Sequence, residues 1–262
     1  MGEYTMDKFE LAKLIKTSEV IEKVAFIQNR CRGKSILDLG CIRHNAEFAK
    51  KDPNWLHQKI KEVAKNVIGI DYLENEVKKL KDMGYDIRFG DVTQPLTFNE
   101  RFDVIVAGDI IEHLSNFDGF FENCLKYLKD DGILIISTPN PFFTDEFHYV
   151  SFKRNYIINP EHTCWIDPQA LSQLSQRYNL AITELHFIKN PWSLKNLICE
   201  NENYQYDILN DKWIDNSSTF PLLRYTICKT FGIFYYLYKR VLFTNTKLVG
   251  YSDYLAVLKR SN

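Results

Sequence analysis

The chain has 262 residues, 45% of them hydrophobic and 26% charged, which is enough to bury a full core as one large domain with an appendage. Thirty-three basic residues against thirty-four acidic ones leave a formal charge of -1, so no global field draws the protein to a phosphate backbone and nucleic acid is not an expected partner. The six cysteines (Cys31, Cys41, Cys124, Cys164, Cys199, Cys228) include no Cys-x-x-Cys pair, which argues against a zinc clip or redox dithiol and for a reduced, cytoplasmic setting.

The start, Met1 to Lys8, runs into an amphipathic stretch rather than a basic region with an apolar core, so no secretory leader is expected. Residues 7–30 place Phe9, Leu11, Leu14, Ile15, Ile21, Val24 and Ile27 at helical spacing and stop before Gly33, predicting one or two N-terminal helices within 1–32. From Ser35 the patterns alternate: strand 35–39, helix within 45–64, strand 66–71, helix 73–83, strands 86–89 and 102–107, helix 116–128, strand 132–138. That rhythm predicts an α/β fold, a doubly wound and mostly parallel sheet. Asn140 to Pro168, rich in Phe, Tyr, His and Pro, reads as a long ordered loop or lid. Asp167 as cap and Pro168 in the first turn then open a helix with Leu171, Leu174 and Tyr178 facing inward.

Residues 181–188 and 253–259 complete seven strands, and the alternation Tyr254-Leu255-Ala256-Val257-Leu258 predicts a last strand paired at the sheet edge. The sheet domain is thus 33–189 plus 251–262, with 190–250 an insertion before the last strand. In the insertion, Ile227, Phe231, Phe234, Tyr238 and Val241 share one helical face flanked by Arg224, Lys229, Lys239 and Arg240. A helix over 220–243 would pack over a substrate pocket or a second subunit, making a homodimer, or lie on a membrane surface. The longest charge-free apolar run, Thr230 to Tyr238, is far short of the roughly twenty residues of a membrane span.

Two apolar strands end in carboxylates: Lys34-Ser35-Ile36-Leu37-Asp38-Leu39-Gly40-Cys41, and then Val67-Ile68-Gly69-Ile70-Asp71. The first puts a tight turn at the carboxyl end of a strand, where open α/β sheets bind nucleotide-like ligands, and Asp71 at the next strand tip is placed to accept both hydroxyls of a ribose. Arg88-Phe89-Gly90-Asp91-Val92 ends the third strand, and Phe102 to Leu114, closing on Glu112-His113-Leu114, follows in order. Together these segments resemble the class I S-adenosylmethionine-dependent methyltransferases of small-molecule type, over residues 33–188 plus the final strand. The resemblance implies a Rossmann-like fold with S-adenosylmethionine as cofactor. It implies that Asp38, Gly40, Cys41 and Ile42 meet the methionine end, that Asp71 binds the ribose and that Asp91 and Val92 bind the adenine, with Tyr72 and Asp109 completing the site. A capping role for Asp38 is compatible with the same position. The chain departs from the family's Asp-x-Gly-x-Gly-x-Gly, with Ile42 and His44 at the second and third glycines.

Methyl transfer from a sulfonium is an in-line displacement that neutralises charge, so it asks mainly for placement and for exclusion of water. A hydroxyl acceptor also needs its proton removed, and His113, His148 and His162 are the histidines available, with Asp109 and Glu112 nearby in sequence. His113 is the first candidate base, with helix capping as the alternative, and His162 joins it as a catalytic candidate or as a wall of the site. A phosphorylated acceptor needs cations instead, and Arg43, His44, Lys153 and Arg154, with His148, are candidate substrate contacts. No spacing calls for a metal. No Asn-Pro-Pro-Tyr or Asp-Pro-Pro-Tyr follows the fourth strand, against an amino-group methyltransferase of the adenine or glutamine kind, and no Gly-x-Gly-x-x-Gly follows the first, against a dinucleotide oxidoreductase. The expectation is an O-methyltransferase for a small polar metabolite. Its aromatic lid and long insertion look like those of enzymes that tailor bacterial surface sugars, implying a sugar nucleotide or a phosphorylated or phosphoramidate intermediate of capsular polysaccharide biosynthesis. A hydrophobic acceptor such as a quinone, or a cofactor-binding module without catalysis, are the alternatives.

Overall fold

The computed structural model describes residues 8–143, 159–189, 204–207, 212–215, 234 and 247–261. The chain divides into two compact units, Met1–Lys189 with Tyr251–Asn262, and Asn190–Gly250. The first unit opens with α1 (Lys8–Thr17), β1 (Glu19–Ile21), α2 (Lys23–Cys31), β2 (Ser35–Leu39), α3 (Ala46–Lys51), α4 (Leu56–Lys61), β3 (Asn66–Asp71), α5 (Glu74–Asp82) and β4 (Ile87–Phe89). It continues with β5 (Phe102–Gly108), a 3-10 turn (Ile111–His113), α6 (Phe117–Tyr127), β6 (Leu128–Pro139), α7 (Pro168–Gln176) and β7 (Leu180–Ile188). In the second unit β8 (Tyr204–Asp207) and β9 (Lys212–Asp215) form an antiparallel hairpin, after which β10 (Asp253–Arg260) returns to the first unit. The helix expected over 220–243 lies outside the described residues, apart from Phe234.

The main sheet has eight strands in the order β1-β7-β10-β6-β5-β2-β3-β4. The eighth, beyond the seven expected, is β1, a three-residue strand that pairs parallel to β7 from Glu19 opposite His186 to Ile21 opposite Ile188. All pairings are parallel except those of β10, which runs antiparallel to both β6 and β7. The last strand is therefore interior rather than at the edge, and Tyr254, Leu255, Ala256, Val257 and Leu258 are all fully buried. An interior strand covered on both faces has no polar side to show, and each buried Leu or Val contributes about 1.5–3 kcal/mol. Ile36, Val104, Val106, Ile133, Ile135, Leu255 and Val257 pack with Ile27 and Cys31 of α2 and Ile60 of α4, while the alternate residues Leu37, Ile105, Leu134 and Ile136 are buried on the other face. The single helix expected within 45–64 is two, because Pro53 cannot donate to a helical ladder and holds Asp52 extended at ψ 112°.

From β2 the sheet winds through β3 and β4 to one side, and from β5 through β6 to the other. The crevice at the carboxyl ends of β2 and β5 is the topological switch point, where open α/β sheets take their ligands. Asp71 caps β3 beside it, and Asp109 directly follows β5.

Candidate active site

The turn after β2 is built on Gly40, whose φ is +69° and whose N–H donates to the Ile70 carbonyl at 2.8 Å. A β-carbon here would come within 2.6 Å of Ile110 Cδ1, so glycine is required both by conformation and by space. Two residues on, the Ile42 N–H donates to Asp71 Oδ2 at 2.8 Å, and the Leu73 N–H donates to Asp71 Oδ1 at 3.1 Å. Each carboxylate oxygen thus holds one backbone donor and keeps a lone pair for a further donor. Burial pushes the Asp71 carboxyl above its usual range, against the lowering effect of the Ile42, Leu73 and Tyr72 amides. Tyr72 beside it is exposed.

His44 has φ +58°, so the backbone enters the left-handed region at the position where the family pattern writes glycine. Its ring meets Phe48 edge-on with centroids 5.8 Å apart. The Arg43 guanidinium is paired with Asp52 at 2.5 Å and lies over Phe48, 5.4 Å from the ring centroid. Cys41 is buried, and burial holds its thiol well above its usual value.

Two side chains not foreseen from sequence support this turn from below. Asp38, 2% exposed, places Oδ2 2.9 Å from Nδ1 of His57, which is completely buried in α4. The Trp55 indole N–H donates to the Cys41 carbonyl at 2.7 Å. A polar residue on the buried face of a helix, as His57 is, was the available signal.

Asp91 turns the chain after β4, with Oδ1 accepting from the Thr93 N–H and hydroxyl, each at 2.8 Å. The following loop is pinned by Asn123 of α6, another residue that sequence reasoning missed. Its amide donates to the Val92 carbonyl (2.9 Å) and the Gln94 carbonyl (2.8 Å), and its oxygen accepts from the Leu96 N–H (3.1 Å).

Asp109 has φ +52°; its Oδ1 accepts from the Ser137 hydroxyl at 2.8 Å, and Oδ2 is ion-paired with Lys23 at the start of α2. Burial pushes this carboxyl up, but Lys23 and the Ser137 bond prevail and hold it below its usual value. Lys23 is 86 residues away in sequence, so no local pattern marks it.

The 3-10 turn then carries Glu112 and His113, to which the segment 159–164 brings His162. The Glu112 backbone carbonyl accepts from the Thr163 N–H at 2.9 Å, the Cys164 N–H at 3.3 Å and the Thr163 hydroxyl at 3.1 Å; that hydroxyl also donates to the Leu114 carbonyl at 2.9 Å. The two imidazoles, named separately from the sequence, meet edge to face at 4.7 Å between centroids. His113 Nδ1 donates to the Glu161 carbonyl at 3.2 Å. Glu112 is 2% exposed, with Oε2 accepting from Thr138 at 3.0 Å; burial, then the Asp109 charge, push its carboxyl up to about 8. Burial, then the proximity of His113, lower His162 below its usual value. His148, Lys153 and Arg154, the remaining substrate candidates, lie outside the described residues.

The structure is similar to that of a SAM-dependent methyltransferase from Archaeoglobus fulgidus, with a TM-score of 0.52 at 17% identity over 97% of this chain and 94% of that one. In sequence it is similar to a "Probable S-adenosylmethionine-dependent methyltransferase" of Mycolicibacterium smegmatis, 29% identical over 153 residues, 56% of this chain and 52% of the relative. It is also similar to a "Ubiquinone biosynthesis O-methyltransferase" of Rickettsia prowazekii, 26% identical over 203 residues, 71% of this chain and 76% of the relative. The chain thus spans about half the length of the mycobacterial relative. The profile of a methyltransferase domain matches residues 13–185, from within α1 into β7 and through every turn described above. The chain belongs to the S-adenosylmethionine-dependent methyltransferases of class I.

Proposed function

We propose that the protein transfers a methyl group to a hydroxyl oxygen of a small polar metabolite. The observation that carries this reading is the Glu112, His113 and His162 cluster at the carboxyl end of β5, a polar group of side chains beside the cofactor turn. Bound S-adenosylmethionine supplies a sulfonium-borne methyl group that an oxygen lone pair can take. The chain's own task is placement. Asp71 offers two oxygens to the ribose, and the Ile42 amide holds that carboxylate in register with the turn. Asp91 and Val92 serve the adenine, with the loop behind them fastened by Asn123. Lys23 keeps Asp109 ionised at the mouth. The imidazoles and Glu112 meet the acceptor, and the segment 159–164, bonded to the 3-10 turn, helps keep water away.

Within hydroxylated acceptors, a sugar nucleotide or another phosphorylated intermediate of capsular polysaccharide biosynthesis is the first to assay, since the charged side chains at the mouth suit a polar ligand. A phenolic acceptor of the quinone type is the second reading, favoured by the name of the Rickettsia relative. Calorimetry of the full chain with S-adenosylmethionine and S-adenosylhomocysteine, followed by product-release assays with a sugar nucleotide and a catechol, tests both. Saturable binding and release with one acceptor class is expected. No binding of either cofactor form at saturating concentration overturns the enzyme reading.

A further inference from the structure

We infer that Glu112, His113 and His162 form a site for one divalent cation of the zinc or manganese kind, whose open position takes the hydroxyl oxygen of the acceptor. The acceptor half of this inference rests on the O-methyl transfer reading above; the ion site stands on geometry alone. One donor atom from each of the three residues lies within 4.8 Å of the others. Two imidazoles with one carboxylate suit a borderline divalent ion and leave coordination positions for water or substrate.

Three features favour an ion over plain edge-to-face packing of two rings. Glu112 is buried, and among the described residues its side chain has one hydrogen bond, from the neutral Thr138 hydroxyl, and no ion pair. A carboxyl buried without a facing positive charge is held toward its neutral form, and a bound cation is the counter-charge that lets it ionise and coordinate. His113 donates its Nδ1–H to the Glu161 carbonyl, which leaves the Nε2 lone pair free; this is how metal-binding histidines are usually oriented. The frame is also rigid, since the Glu112 carbonyl alone accepts three bonds from Thr163 and Cys164.

His162 is held more loosely. The Glu161 N–H donates to Asn159 Oδ1 at 3.0 Å, which turns the Asn159 amide nitrogen toward His162 Nε2 at 3.1 Å. An ion taking that lone pair displaces a neutral amide donor, a smaller loss than a metal bond returns. A tetrahedral ion with bonds of about 2.05 Å keeps its ligand atoms about 3.4 Å apart, so loading draws the segment 159–164 closer to the 3-10 turn. An acceptor hydroxyl on such an ion releases its proton to solvent near neutral pH, and the O–H bonding pair stays on the oxygen as the nucleophilic lone pair. No free imidazole then has to serve as base.

The test uses the full chain after dialysis against a chelator. Zinc and manganese are titrated by calorimetry, and cobalt(II) is followed by its visible absorption. One ion per chain is expected, with Glu112→Gln and His162→Gln each weakening it at least about tenfold while the S-adenosylhomocysteine affinity stays within about twofold. No saturable binding of zinc or manganese, or binding indifferent to both substitutions, overturns the site. If S-adenosylhomocysteine binds and no ion does, the site fails while the methyltransferase reading stands. If the ion binds as expected and hydroxyl acceptors yield no product, the site stands and the acceptor reading fails.

Discussion

Replacing Asn123 by alanine probes how a helix on one side of the sheet shapes the cofactor loop. Asn123 is 5% exposed and makes three bonds, at 2.8, 2.9 and 3.1 Å, all to backbone groups between Val92 and Leu96. Each bond is worth about 1 kcal/mol net, so the three together set an expected cost of about 3 kcal/mol. For a unit of this size that lowers the melting temperature by roughly 6–12 °C. The loop also carries Asp91, so a loosened loop must be reordered on binding, and S-adenosylhomocysteine should bind about tenfold more weakly. Calorimetric melting and titration of Asn123→Ala measure the two effects. Asn123→Asp is the control: it keeps an oxygen for the Leu96 N–H but sets a carboxylate against two carbonyls, so at pH 7 it should cost at least as much as alanine. A stability loss below about 1 kcal/mol would refute the bonding argument. A full stability loss with unchanged cofactor affinity would refute the link between this loop and the cofactor.

Gly119→Ala sets a β-carbon 2.0 Å from the Thr93 carbonyl oxygen, so α6 must move off the same loop; a melting-temperature drop comparable with that of Asn123→Ala is expected, and no drop would show that the loop yields freely. His44→Gly exchanges about 1–2 kcal/mol of left-handed strain for the larger chain entropy of glycine. Denaturant unfolding should show a change below about 1 kcal/mol, and a loss of more than tenfold in S-adenosylhomocysteine affinity would mean that the imidazole itself meets the ligand. Burial pushes the Glu184 carboxyl up, but two bonds from Arg30, at 2.9 and 2.6 Å, together with the neighbouring His186 imidazole prevail and hold it below its usual range. Folding then favours the ionised form, so its contribution of about 1 kcal/mol is present above the unfolded value near pH 4.3 and is lost as pH falls through the folded one. The stability gap between the native chain and Glu184→Gln should close over that acid window, and a gap that widens there would contradict the sign.

The central strands were legible because parallel strands buried on both faces leave apolar runs, as Ser35–Leu39 and Phe102–Gly108 do. The same rule places the last strand: an apolar run in β10 signals an interior position, and alternation alone does not distinguish it from an edge. β1 was illegible because three residues with the burial pattern exposed, exposed, intermediate carry no periodicity. Asp38, Gly40, Asp71, Asp91 and Asp109 could be named because each ends a strand or a turn directly after one. Lys23, His57 and Asn123 could not, since each reaches its partner across the fold and nothing local records that contact. His113 and His162 were named singly; only the backbone bonds between Thr163 and Glu112 reveal them as neighbours.

The two missing glycines have different physical answers. Ile42 does not have a positive φ, and its side chain packs with Cys41, Ala46, Ala49, Trp55, Val77, Leu80 and Ile87 in a cluster below the turn. A β-carbon at position 42 therefore points into the core, and the Ile42 amide remains available to Asp71. The glycine there is replaced without closing the crevice. His44 does occupy the left-handed region, so the strain that glycine would avoid is present, and Asn45 next to it caps α3 by accepting from the Phe48 N–H at 2.8 Å. The path of the turn is thus kept by contacts on both sides: Gly40 to Ile70 before it and Asn45 to Phe48 after it. A turn held at both ends can carry a strained residue in the middle, because relaxing His44 alone would break bonds worth about as much as the strain it releases. The departures from the glycine pattern therefore leave the cofactor turn intact, and what they add beside it is the His44 imidazole.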